Sequence, residues 1–241
     1  MNKSKWNGFD RLDFEFEGKA AILVIPENPT DDKFYLMKTE YFTAFQDFEL
    51  DMVKRGYYLA FLENTTRWCI DEDLDRRERF MDYLTKEFGL YSKCVPVGMS
   101  CGGLIATKFA ARYPERVSVL YIDAPVLNLL SCPGCVGRVD EHHFMEEFFS
   151  HTGVTLSELL SYREHPIDKM HILLENNIPI FLVYGDSDDV VPYHENGMIL
   201  ERYYKANGGN IVARGKAGCG HHPHGLEDRA ELIAFVEKYS K

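Results

Sequence analysis

Short apolar runs and amphipathic stretches alternate along the whole chain. Leu12 to Phe16 switches between apolar and acidic positions, which predicts an edge strand wet on one face. Ala20 to Ile25 is continuously apolar, the pattern of a strand covered on both sides. Thr39 to Arg55 carries Phe42, Phe45, Phe48 and Met52 at helical spacing, with Thr39 as the N-cap. Tyr57 to Leu62 predicts a strand, Asp73 to Phe88 a charged amphipathic helix, and Val117 to Asp123 a further strand. Ile178 to Gly185 and Asn210 to Arg214 complete the strands, flanked by helices over Glu195 to Ala206 and Leu226 to Tyr239. Such alternation specifies a mostly parallel sheet with helices on both faces, and ligands then bind beyond the carboxyl ends of the strands.

Three of those strand ends carry chemistry. Tyr91 to Val97 is a short apolar strand, and Gly103 to Arg112 has the period of a helix packed on a core. Between them lies Gly98-Met99-Ser100-Cys101-Gly102, a G-x-S-x-G. In that context the motif forces a strained turn that lifts the Ser100 hydroxyl clear of the sheet. A serine hydroxyl is a poor nucleophile, so it needs a base and a group to orient that base. The strand to Gly185 runs into Asp186-Ser187-Asp188-Asp189-Val190-Val191-Pro192, and the last strand runs into Gly218-Cys219-Gly220-His221-His222-Pro223-His224-Gly225. Serine, acid and histidine thus follow one another in chain order. Asp123, at the end of its own strand, is the rival acid, whereas Asp186 and Asp189 suit a solvated turn.

On these three segments the chain resembles the α/β-hydrolase superfamily over nearly its whole length. In the family pattern G-x-x-D-x-x-V-P the acid falls on Asp188, and the family histidine, which follows a glycine, falls on His221. The resemblance implies an α/β-hydrolase fold with Ser100 as nucleophile, His221 as base and Asp188 as orienting acid. It also implies an oxyanion hole built from the Cys101 N–H and a donor in the loop after Ala20 to Ile25. The chain departs from the family in lacking a His-Gly dipeptide there. Aligning Pro26-Glu27 with that dipeptide makes Asn28 the expected donor, with Glu27 as the alternative and Pro29 excluded for want of an N–H. Thr39 to Phe48, Tyr121 to Pro125 and the His-His-Pro-His-Gly loop resemble bacterial esterases associated with carbohydrate degradation.

Composition narrows the partners. The chain has 241 residues, no linker or repeat divides it, and one domain over 1–241 is expected. Its net charge of −11 is spread along the sequence, which argues against nucleic acid or an anionic membrane as partner. Self-association into a homo-oligomer stays open. The first residues lack the apolar core of a signal peptide, and six cysteines in a chain this long do not suggest a disulfide scaffold, so the cytoplasm is the expected compartment. Between Ala124 and Ile167 the regular alternation breaks. A small cap at about 126–166, after the sixth strand of the family order, accounts for it, its aromatic residues lining the pocket.

No metal or cofactor is expected. Cys132-x-x-Cys135 with His142 and His143 has ligand types for zinc but lacks a second cysteine pair. His221, His222 and His224 also have ligating rings, yet adjacent residues are expected to point to different sides, with His222 turned aside and His224 bonded to the loop backbone. Trp68 and Cys69 sit in a polar loop, where packing or the pocket edge would account for them. The chemistry therefore reads as a serine hydrolase that cleaves small or carbohydrate-linked carboxylic esters through an acyl-enzyme. A peptidase or amidase using the same triad is the alternative, and a non-catalytic binding module is the reading from another class.

Overall fold

The computed structural model describes residues 1–240; Lys241, the last residue of the expected domain, lies outside them. The strands are β1 (Asn2–Trp6), β2 (Phe9–Phe16), β3 (Lys19–Ile25), β4 (Tyr35–Lys38), β5 (Tyr58–Leu62), β6 (Val95–Met99), β7 (Leu120–Asp123), β8 (Ile180–Gly185) and β9 (Ile211–Lys216). They form one sheet in the order β1-β2-β3-β5-β4-β6-β7-β8-β9. The first three pairings are antiparallel, and every pairing from β5 to β9 is parallel. This is the α/β-hydrolase architecture expected from the sequence.

The helices are α1 (Asp47–Lys54), α2 (Asp71–Phe88), α3 (Cys101–Arg112), α4 (His142–Thr152), α5 (Leu156–Ser161), α6 (Met170–Glu175), α7 (Gly197–Ala206) and α8 (Ala230–Tyr239). Successive residues of a strand point to opposite faces, so a sheet covered on both sides must be apolar at every position. β8 does this: Ile180 and Leu182 join one core with Leu104 and Phe109 of α3, while Phe181 and Val183 join the other with Phe235 and Val236 of α8. Two hydrophobic cores thus clamp the central strands, and the loops at their carboxyl ends rest on a rigid base. No described helix is long and apolar enough to cross a membrane.

Two strands escaped the sequence pattern. β1 is polar and mostly exposed, so it has no amphipathic signature, yet it pairs with β2 and moves the sheet edge beyond Leu12 to Phe16. β4 has four buried residues, too few to show a period. The helix expected over Thr39 to Arg55 begins only at Asp47, and Thr39 is not its N-cap. Instead the Thr39 hydroxyl is buried and donates to the carbonyl of Gly102 at 2.7 Å, within reach also of the Val97 carbonyl. Phe48 and Met52 are buried on α1, Phe42 packs from the preceding loop against Trp6, and Phe45 is partly exposed, so the four do not share one helix face.

The irregular segment expected as a cap follows β7, the seventh strand counted from the amino terminus because β1 adds one ahead of the family order. It contains α4 and α5; Thr155 caps α5 with a reciprocal hydrogen-bonded box to Glu158. Phe144 and Phe148 of α4 pack edge-on to Trp68, and Glu147 takes both sides of the Arg67 guanidinium. The segment is thereby fastened over the loop that follows β5.

Candidate active site

Ser100 sits between β6 and α3 with φ +54° and ψ −121°, a conformation rare for a residue with a side chain. Strain of this kind costs about 1–3 kcal/mol and persists only when the surroundings fix it. Here the Ser100 N–H donates to the Asp123 carbonyl at 3.0 Å, and its own carbonyl accepts from Gly103 at 2.9 Å and Val126 at 3.2 Å. The turn closes because Gly98 and Gly103 have no side chains. A Cβ on Gly98 would lie 2.2 Å from the Gly102 oxygen, and one on Gly103 would lie 2.4 Å from the Pro125 Cβ.

Asp188 and His221 reach Ser100 from the loops after β8 and β9. The His221 Nε2 lies 3.0 Å from the Ser100 Oγ, and the Nδ1 lies 2.8 Å from the Asp188 Oδ2. An ionised carboxylate only accepts, so Nδ1 carries the proton and Nε2 is left to accept the serine O–H. The other Asp188 oxygen accepts the backbone N–H groups of Val190 and Val191 at 3.0 and 2.8 Å, which fixes the carboxylate in place. Asp188 and His221 are both buried.

The competing acids have other partners. Asp186 is exposed and accepts the Gly218 N–H at 2.7 Å, while Asp189 is exposed. Asp123 is fully buried, 3.1 Å from the His224 Nδ1 and 2.6 Å from the Gly225 N–H, so it holds the histidine loop rather than His221. His224 thus pairs with a side chain, not with the loop backbone as expected. The three rings of His221, His222 and His224 do not diverge either: each pair of ring centroids is 4.9 Å apart. Cys132, Cys135, His142 and His143 form no such group among the described residues, and all six cysteines are free thiols.

The oxyanion loop needs the clearest correction. The Cys101 N–H, at the positive start of α3, makes no hydrogen bond to a described residue. Asn28 is elsewhere. Its carbonyl would lie 2.4 Å from a Cβ on Gly56, just before β5, and β3 runs antiparallel to β5. Asn28 and Glu27 therefore lie at the amino ends of the parallel strands, across the sheet from Ser100. The loop that borders α3 follows β4 instead: Thr39, Glu40 and Tyr41, with Thr39 bonded to Gly102. Sequence reasoning missed this because it missed β4.

That loop is fastened from below. Asn64 donates to the Thr39 carbonyl at 2.7 Å and to Glu40 at 2.8 Å, and the buried Arg77 donates to Asn64 at 2.6 Å. Lys38, buried at the end of β4, pairs with the equally buried Glu49 of α1 and donates to the Ala44 carbonyl at 3.1 Å. Burial pushes the Tyr41 phenol above its ordinary range, and the neighbouring Cys101 thiol adds to this, so the phenol stays protonated. Burial likewise pushes the Cys101 thiol up to about 11, which leaves it un-ionised and a poor rival to Ser100 at neutral pH.

Above Ser100 opens a cavity of about 340 Å³, walled by Tyr41, Phe45, Trp68, Phe144 and Val191, with Arg67 at its border. Trp68 is both packed and at the pocket edge. Residues 55–241 match the model of the prolyl oligopeptidase family. The chain belongs to that family. No curated protein matches the sequence. Among solved structures, an acylaminoacyl peptidase in complex with Z-Gly-Gly-Phe-chloromethyl ketone superposes with a TM-score of 0.72 at 17% identity, over 97% of this chain and 42% of its own. A putative dipeptidyl aminopeptidase IV from Bacteroides ovatus gives 0.69 at 16%, over 95% of this chain and 35% of its own. TT1662 from Thermus thermophilus gives 0.63 at 16%, over 100% of this chain and 99% of its own. This member of the prolyl oligopeptidase family therefore spans little more than a third of the putative dipeptidyl aminopeptidase, but nearly all of TT1662. The family match and the named peptidases lend nothing to the expected likeness to carbohydrate esterases.

Proposed function

We propose that this chain is a serine hydrolase that cleaves small carboxylic esters through an acyl-enzyme on Ser100. The observation that carries the reading is the unbroken chain of hydrogen bonds from Ser100 through His221 to Asp188. In the proposed reaction His221 Nε2 takes the Ser100 proton as Oγ attacks the acyl carbon, and then returns it to the leaving group. Asp188 keeps the ring in the required tautomer and stabilises its cation. Water, deprotonated by the same ring, then releases the acid. The Cys101 N–H and the Tyr41 phenol are assigned to the tetrahedral oxyanion, each such donor being worth about 2.7–4 kcal/mol of barrier. The acyl group enters the apolar cavity beneath Phe144 and Val191, with the 126–166 segment as its lid.

A second reading, amide or peptide cleavage by the same groups, is favoured by the family match. A panel of p-nitrophenyl esters of increasing acyl length, beside aminoacyl and acylaminoacyl p-nitroanilides and feruloylated sugars, tests both. Ester turnover that disappears in Ser100→Ala supports the first reading, and anilide turnover above ester turnover transfers the assignment to the second. No turnover of any acyl substrate would leave the binding-module reading.

A further inference from the structure

We propose that His221, His222 and His224 form a binding site for one divalent transition-metal ion of the zinc type, and that its occupation stops hydrolysis at Ser100. The expectation that neighbouring residues diverge holds for a strand, and residues 217–229 form none. One ring nitrogen from each histidine lies within 4.8 Å of the others. The rings are paired edge to face rather than stacked, at interplanar angles of 66°, 82° and 85°.

The protonation pattern suits a metal. Nδ1 of His221 is tied to Asp188 and Nδ1 of His224 to Asp123, which leaves the lone pair of each ring on Nε2. A carboxylate behind the outer nitrogen of a ligating histidine is the arrangement that fixes ring orientation and raises ligand basicity in zinc sites. His222 has no such partner among the described residues, and its exposed ring lies on the wall of the cavity above Ser100. Phe45 stacks on His222 at 5.7 Å and meets His224 edge-on at 5.2 Å, steadying both rings. Zinc needs each nitrogen at ~2.0–2.1 Å, so the rings must close in slightly; exposed His222 can do so at little cost. Three imidazoles suit zinc, copper or nickel and not magnesium or calcium.

The site shares an atom with the catalytic machinery. His221 Nε2 is 3.0 Å from the Ser100 Oγ, and an ion on that nitrogen displaces the serine hydrogen bond and removes the base. The carboxylates of Asp188 and Asp123, behind two of the three rings, offset the charge of the bound ion. The inhibition rests on His221 being the base of the proposed hydrolase; the binding does not.

The test titrates the chelator-treated full chain with zinc against a chromophoric zinc chelator, repeats the titration with cobalt by visible absorption, and follows p-nitrophenyl ester turnover in parallel. One zinc per chain is expected, with turnover falling as the site fills, returning with EDTA, and unaffected by magnesium or calcium. His222→Ala, at an exposed position that leaves folding intact by circular dichroism, should weaken zinc binding at least about tenfold and raise the half-inhibiting concentration by the same factor; Asp123→Asn should weaken it ~10–100-fold. Ser100→Ala should still bind zinc, so intact binding in a chain that hydrolyses nothing would point to failure of the hydrolase reading alone. Absence of stoichiometric binding, affinity unchanged in His222→Ala, or turnover that rises with zinc would overturn the proposal.

Discussion

Lys38→Met removes an ammonium from the interior while keeping most of its stem. Lys38 and Glu49 are each about 1% exposed, so neither charge has water to fall back on. Lys38 also donates to Ala44 and touches the Met99 sulfur at 3.9 Å, whereas the second Glu49 oxygen has no partner. Breaking one side of a buried pair costs ~3–5 kcal/mol because the remaining charge is stranded. Replacing both sides with apolar groups of similar volume is often neutral, since desolvation then disappears together with the attraction. Urea unfolding followed by circular dichroism should show a loss of about 3–5 kcal/mol for Lys38→Met and recovery to within ~1 kcal/mol for Lys38→Met with Glu49→Leu. Activity should not recover with it. Both variants release the Ala44 carbonyl, which anchors the loop bearing Tyr41 and Phe45, and misplacement of ~1 Å can cost ~10²-fold in turnover. A Lys38→Met protein within ~1 kcal/mol of wild type, or a double variant with full turnover, would refute the claim that the pair holds this loop.

Asp188→Asn should lower ester turnover by about 10⁴-fold, the loss measured for the wrong tautomer in a comparable triad, while Asp186→Asn and Asp189→Asn stay near wild type in the same assay. Tyr41→Phe should lower kcat by ~10²–10³-fold with little change in KM, because its phenol is assigned to the transition state alone; a pure KM effect would remove it from that role. Burial raises Cys69 and Cys101 to about 11 and Cys94 to about 12, from an ordinary value of 9.0. Their contribution to stability is therefore complete below the unfolded value and is lost as pH rises through the folded one. Each thiol lowers stability by ~1.4 kcal/mol per pH unit in that window, so urea midpoints should fall between about pH 9 and 11, and constant midpoints would contradict the burial of these thiols.

How much could be read from the chain depended on the length of each signal. β3, β5 and β8 are apolar at nearly every position because two cores cover them, and they stand out in the sequence. Ser100 and Asp188 stand out because each follows a buried strand in a motif with fixed spacing, whereas His221 follows the half-exposed β9 and was picked out only by its place after a glycine in the family pattern. β4 is four residues long, and its neighbour segment mimics helical spacing through Phe42 and Phe45, which serve the loop and the pocket instead. Losing β4 carried the expected oxyanion donor to Asn28, across the sheet. Arg77, Asn64 and Lys38 were invisible for a different reason: a polar residue gives no hint in sequence that it will be buried beneath a loop.

The central claim is that Ser100 is a nucleophile made reactive by His221 and Asp188. Intact-protein mass spectrometry after treatment with a fluorophosphonate tests it most directly, because the reagent reports the activated hydroxyl whatever the natural substrate. One adduct per chain, mapped by peptide sequencing to Ser100, absent in Ser100→Ala and strongly slowed in His221→Ala, is the predicted result. An unlabelled wild-type protein, an adduct on another residue, or labelling that proceeds equally well without His221 would contradict it.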